Sequence, residues 1–197
     1  MPALRCTARL LKALKATPVE PTEVPASRLG DWTANLIRVS RIQLVVAANG
    51  ATRLPVVVDA APYATLLRRL PNAIGLMLVE LGIALEDAAD EIAHMTPLVP
   101  AASDSRSVLA NLNHYAEDID AALRYGICNS SLSLTRHMAE GIVLKPMHIG
   151  SPANRVREAF GLPRLEPEDW AELRDWWSQG GALAGDYVSR RGTGASH

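Results

Sequence analysis

The residues best suited to chemistry fall in three short stretches. The first is Arg106-Ser107, with Asn111, Asn113 and His114 following on what reads as one helix. A guanidinium beside the free amides of a helix start can hold a phosphate or a carboxylate. The structural alternative is that Ser105 or Ser107 caps the helix while Arg106 and Asn113 tie it to neighbouring strands. The second stretch is Arg5-Cys6-Thr7. A thiol next to an arginine and near a helix N-terminus can ionise readily and act as a nucleophile. Equally, cysteine is a small apolar residue that is commonly buried, and no histidine stands nearby in sequence to activate it. The third pairs Trp32 with Asn35, a flat platform and a two-way hydrogen-bonding amide able to line a pocket. Against this, Trp32 begins an apolar alternation and is placed to pack on the first helix.

Other constellations are weaker. The five histidines, His94, His114, His137, His148 and His197, make no H-x-x-H, H-x-x-x-H or H-E-x-x-H pattern. His114 and Asp118 are spaced as a surface i,i+4 pair. Ser133 and His137 share that spacing, without a visible orienting acid or oxyanion site. The two cysteines, Cys6 and Cys128, stand outside any C-x-x-C or Cys/His cluster, so neither zinc nor a disulfide framework is expected. Glycine-rich phosphate loops are missing, and no cofactor or metal is expected.

Composition bounds the rest. The 197 residues are 48% hydrophobic, with a single Phe, so a core of Leu, Val, Ile and Ala is expected. A net charge of -1 gives no global attraction for polyanions. Nucleic-acid binding would need Arg5, Arg9, Lys12, Lys15, Arg38, Arg41, Arg68, Arg69, Arg155 and Arg157 gathered on one face. The most apolar run, near Leu70 to Leu85, is interrupted by Pro71, Asn72 and Glu80 and is too short to span a bilayer. Trp170, Trp176 and Trp177 lie close together on a predicted last helix and can form a surface for a protein partner or cover a core edge.

The elements that must position these residues follow from periodicity. Leu4 to Cys6 reads as a short strand, with Thr7 as the cap of a helix carrying Leu10, Leu11 and Leu14 on one face. Thr17 to Pro25, with three prolines, reads as an exposed connector. Trp32 to Val58 predicts a three-stranded antiparallel meander, turning at Val39-Ser40-Arg41 and at Asn49-Gly50, where both residues tolerate positive φ. Pro55 puts the third strand at an edge or a bulge. Helices are expected over Tyr63 to Leu70 and Ala73 to Leu81, separated or kinked at Pro71. Further helices are expected from Glu86 to Met95, Val108 to Tyr125, Ser131 to Glu140, Arg155 to Phe160 and Pro167 to Gln179, with a short strand at Leu98-Val99.

The blocks Arg5-Cys6-Thr7 with Leu10-Leu11-Lys12, Trp32 to Leu36, Arg106-Ser107-Val108-Leu109 with Asn113 and Tyr115, and Pro146-Met147 occur in an order similar to that of a bacterial family catalogued only as a domain of unknown function. Members of that family often carry His after the Trp, where this chain has Thr33. The resemblance covers about the first three quarters of the chain and implies accessory biology, in some relatives tied to mobile elements. An α+β fold follows, a small antiparallel meander packed against several helices. Residues 1–164 form the family domain, 165–189 a helical appendage, and 190–197 a disordered tail. The preferred function is a non-enzymatic accessory or interaction protein of the bacterial cytosol. The alternatives are an enzyme acting on a small molecule or nucleotide, with a pocket near Arg106 built from Asn113, Asn35 and Cys6, or a nucleic-acid-binding protein.

Overall fold

The computed structural model describes residues 3–20 and 26–184; the expected tail at 190–197 and most of the connector's end lie outside them. Five strands and seven helices follow one another among the described residues. Ala3–Cys6 is β1, and Ala8–Leu14 is α1, capped by the Thr7 side chain. Trp32–Val39, Ile42–Asn49 and Pro55–Asp59 are β2, β3 and β4. Leu66–Glu80 and Leu85–Met95 are α2 and α3, Val99–Ala102 is β5, and Arg106–Arg124 is α4. Ser131–Ala139, Pro152–Ala159 and Pro167–Ser178 complete the chain as α5, α6 and α7.

The meander from β2 to β4 is antiparallel, with Trp32 facing Asn49 and Leu44 facing Asp59. It forms only part of the sheet. The strand order is β4-β3-β2-β1-β5, and β1 runs parallel to both β2 and β5, so the expected small antiparallel sheet is instead a mixed sheet of five strands. The reason is physical. Antiparallel neighbours announce themselves through a tight turn, whereas parallel neighbours are joined by long crossovers that leave no local signal. Prolines mark both margins: Pro55 opens β4 at one edge and Pro100 sits within β5 at the other, where a missing amide donor is tolerated.

The turn between β3 and β4 also differs from the expectation. The positive φ falls on Arg53 (64°), not on Asn49 or Gly50. Asn49, fully buried, organises the loop with its side chain. Its Oδ1 accepts from Thr52 N at 2.8 Å and Ala51 N at 3.0 Å, and its Nδ2 donates to Leu29 O at 2.8 Å. Gly50 serves a close approach, since a Cβ there would meet the Asp31 carbonyl oxygen at 3.1 Å. The two helices expected on either side of Pro71 are one, since α2 runs through it from Leu66 to Glu80. Leu66, Leu70, Ile74, Met77 and Leu78 are all buried along it, and that anchorage offsets one lost helical hydrogen bond.

Each face of the sheet carries its own core. Leu4, Cys6, Trp32, Ala34, Val45 and Val56 meet α1, α2 and α3, with Val156, Leu173 and Trp177 from α6 and α7 closing the same cluster. Ile37, Leu44, Val46 and Val57 meet α4 and α5 through Val108, Leu112, Ile119 and Met138. The unbroken apolar run of β3 is thereby explained, because its residues are buried alternately against both layers. Sheet edges are covered. Thr135 of α5 accepts from the Val57 amide at 2.8 Å beside β4, and the Val19 amide donates to Pro100 O at 2.9 Å on β5.

Candidate functional site

The residues singled out by type are mostly engaged in holding the fold. Arg5 is an ion-paired strut: Nε donates to Asp31 Oδ2 at 2.8 Å and Nη1 to Asp104 Oδ2 at 2.5 Å, tying β1 to the segments before β2 and after β5. Cys6 is fully buried, its thiol donating to Leu4 O at 3.3 Å, and burial pushes its pKa up to about 12. This is the opposite of an activated thiolate. Trp32 is buried in the core on the α1 side of the sheet. The Asn35 amide oxygen accepts from the capping Thr7 hydroxyl at 2.9 Å, and Thr7 Oγ1 in turn receives Leu10 N at 3.4 Å.

The start of α4 is capped by Ser105, whose side chain accepts from Val108 N at 3.3 Å. Arg106, Ser107 and Asn113 are exposed. A residue that sequence reasoning missed stands beside Ser107. Arg53 is buried; it donates through Nη2 to Ser107 Oγ at 3.2 Å and through Nη1 to Gly50 O, while its own carbonyl accepts from the Tyr115 hydroxyl at 2.8 Å. Burial lowers the Arg53 pKa and raises that of Tyr115. The cluster thus locks the β3–β4 loop onto α4. Neither of the two cavities described below is lined by Arg5, Cys6, Trp32, Asn35, Arg106, Ser107 or Asn113.

A concavity does exist, further along the same helix. A cavity of about 610 Å³ opens between α4, α5 and the segment 141–145. Ala110, Ala121 and Ala122 of α4, Met138 of α5, and Ile142 and Leu144 form its apolar walls. His114, Asp118, His137, Glu140 and Lys145 surround them. The small alanines leave the space, and Gly141, just past the Glu140 C-cap of α5, starts the segment that borders it. Asn111 holds that segment in place by donating from Nδ2 to Lys145 O at 3.0 Å. His114 lies 3.9 Å from both Glu117 and Asp118, in keeping with a surface pair. A second, smaller cavity of about 300 Å³ lies among Arg28, Asp87, Asp90, Glu91, His94 and Phe160. There Glu91 is occupied in accepting the Arg28 and Leu29 amides at 2.7 and 3.0 Å.

At the larger cavity, apolar side chains stand in solvent. Ile127 is 60% exposed, Ile142 68% and Leu144 71%, with Tyr125 at 78% and Met147 at 85% near them in sequence. The signal was present in the sequence as Ile142, Leu144 and Met147, apolar residues in a stretch bounded by Gly141 and Gly150 and broken by Pro146. Apolar residues there would ordinarily predict a strand. Only an isolated bridge between Val143 and Gly150 forms.

The tryptophans of α7 face inward. Trp177 is buried, with Trp170 edge-on at 6.4 Å and the Arg136 guanidinium 5.7 Å from its ring. Several of the basic residues have local tasks. Arg69 donates to the carbonyls of Asp59, Ala60 and Pro62, Arg155 pairs with Glu158, and buried Arg157 donates to the carbonyls of Leu81 and Pro163. Among the described residues no helix is long and apolar enough to cross a membrane, and no group of three or more His, Cys, Asp and Glu side chains is arranged to hold a metal ion.

Comparison with known proteins identifies one family. The model described as "Domain of unknown function (DUF6933)" matches residues 3–154, from β1 into the start of α6. No curated protein and no solved structure matches the chain.

Proposed function

The chain belongs to the DUF6933 family, and within it we propose that this protein is a non-enzymatic interaction protein whose recognition surface is the groove between α4 and α5. One observation carries the reading. Among the described residues, five of the eight large apolar side chains that stand exposed fall between Tyr125 and Met147, and three of them belong to the single segment 142–147. Ile127, Ile142 and Leu144 among them line the groove, and exposed apolar surface beside a polar rim marks a binding site, because leaving it in water is unfavourable. The groove lies wholly within the matched residues, so it is built from the part of the chain that the family defines. A cytosolic, reducing location fits two free, buried cysteines, Cys6 and Cys128.

A photo-crosslinking amino acid placed at Leu144, with Lys12 as a distant control, tests the proposal in cells. The expected result is a discrete crosslinked protein at position 144 and none at position 12. Purified protein that turns over a metabolite, with no adduct at position 144, would overturn it.

A further inference from the structure

We infer that the occupant of this groove is a second copy of the same chain, paired reversibly about a two-fold axis, an inference that names the partner for the interaction reading above and rests on it. Three observations select that partner. The first is that one patch carries both halves of a contact. The trough is apolar along Ala110, Ala121, Ala122 and Met138. Met147 stands outside its lining, separated from the lining Lys145 only by Pro146, and is the most exposed large apolar side chain among the described residues. An unbranched methionine in water is a flexible apolar projection that fills irregular recesses. In a two-fold interface the same patch faces itself and every contact is made twice. A surface that holds both a recess and an apolar projection meets that condition; a surface made for a foreign partner needs only the recess.

The second is charge, because the lining carries both signs. Lys145 has no ion-pair partner among the described residues. Asp118 has only the His114 ring, 3.9 Å away. The other lining carboxylate, Glu140, is already paired with Arg174 at 2.9 Å. The two open charges also stand apart. Asn111 Nδ2 holds the Lys145 carbonyl at 3.0 Å, and Asp118 lies two turns further along α4, about 10 Å by helical rise. Opposite charges at separate points of one patch exchange places under a two-fold axis midway between them, so that Lys145 of each copy meets Asp118 of the other. A partner of one sign would match one of the two and oppose the other. The third is the state of the sheet, whose edges are the other common route to self-pairing. Thr135 Oγ1 accepts the Val57 amide on β4, and Pro100 O accepts the Val19 amide on β5. Each protomer closes its own two cores, so the pair can separate without unfolding.

The test is sedimentation equilibrium of the full chain over a wide concentration range. Wild type should associate to dimers and to nothing larger, and should dissociate on dilution. Met147→Asp leaves the trough lining intact and should weaken the dimer about tenfold or more. Lys145→Glu and Asp118→Lys, each alone, should weaken it by about tenfold, with circular dichroism checking that both are folded. Mixed in equal amounts, these two variants should form a heterodimer within about threefold of wild-type affinity, because each supplies the charge that the other now needs. Neither a foreign partner nor general loss of fold produces that rescue. In cells, the adduct formed at Leu144 should have twice the mass of one chain. A wild type that stays monomeric throughout, a dimer indifferent to Met147→Asp and Lys145→Glu, or a mixture no tighter than its separate components would overturn the inference. Should Leu144 then crosslink to a different protein, the interaction reading stands and only the identity of the partner falls. No adduct of either kind at Leu144 removes both readings.

Discussion

Helix α5 has two sides, and they are treated in opposite ways. On one, Arg136 reaches into a closed clasp. Its Nε and Nη2 donate to the fully buried Glu80 carboxylate at 2.9 and 2.5 Å, and Nη1 and Nη2 donate to the carbonyls of Trp177 and Gly180 at 3.2 and 3.3 Å. Gly181 completes it, since a Cβ there would fall 2.3 Å from Arg136 Nη2 and 2.6 Å from Glu80 Oε1. On the other side, one residue further along, His137 and Met138 border an open trough. On the first side the Arg136 guanidinium and the Glu80 carboxylate are matched by partners; apolar groups around the second are left in water. A charged pair in the interior is therefore architecture here, and the unfinished apolar surface is the place to look for recognition.

That contrast can be broken at the clasp with the largest effect. Glu80→Ala leaves a guanidinium without its carboxylate in a mostly buried position and should cost about 3–5 kcal/mol in chemical denaturation. Trp177→Ala removes an aromatic side chain from the same assembly, and a loss of about 3 kcal/mol or more is expected by the same measurement. Between the two sides sits Thr135. Thr135→Val keeps the volume but strips the Val57 amide of its acceptor, which should cost about 1–3 kcal/mol. Around the trough, Leu144→Asp should change stability by less than about 0.5 kcal/mol, because the side chain is already in water. A destabilisation there as large as that of Glu80→Ala would show that the trough is core rather than surface.

A last and smaller effect concerns pH. The buried Cys6 thiol has a folded pKa of about 12 against an ordinary value of 9.0, so it favours folding while neutral. Its contribution should be intact below about pH 9 and be lost as pH rises toward 12. Native protein at pH 8 should accordingly resist alkylation at Cys6, and unfolding should release it. Rapid native labelling would contradict the burial.

Much of this architecture was legible because local rules wrote it. Thr7 and Ser105 cap helices where hydroxyls precede apolar periodicity, Gly126 ends α4 with φ of 68°, and the alternation from Trp32 fixes β2 against β3. What escaped was set by distance along the chain. No local pattern says that Leu4 pairs with Pro100, or that Arg53 will meet Ser107. Residue type alone does not separate chemistry from architecture. Arg5, Cys6, Asn35 and Arg106 drew notice as reactive groups. Arg5 holds two loops, Cys6 fills the core and Asn35 braces a cap, while Arg106 stands in the first turn of α4. The groove was hidden for the converse reason: alanines and a Gly-flanked apolar stretch look like interior sequence until one sees which side of them is bare.

β1 lies inside the sheet between β2 and β5, and the second of these neighbours begins only at Val99. During synthesis at about 5–20 residues per second, β1 leaves the ribosome at least several seconds before that partner exists. For that interval β1 has one neighbour strand at most and an unoccupied edge. A bulky domain fused directly before Ala3 would burden the strand during this wait.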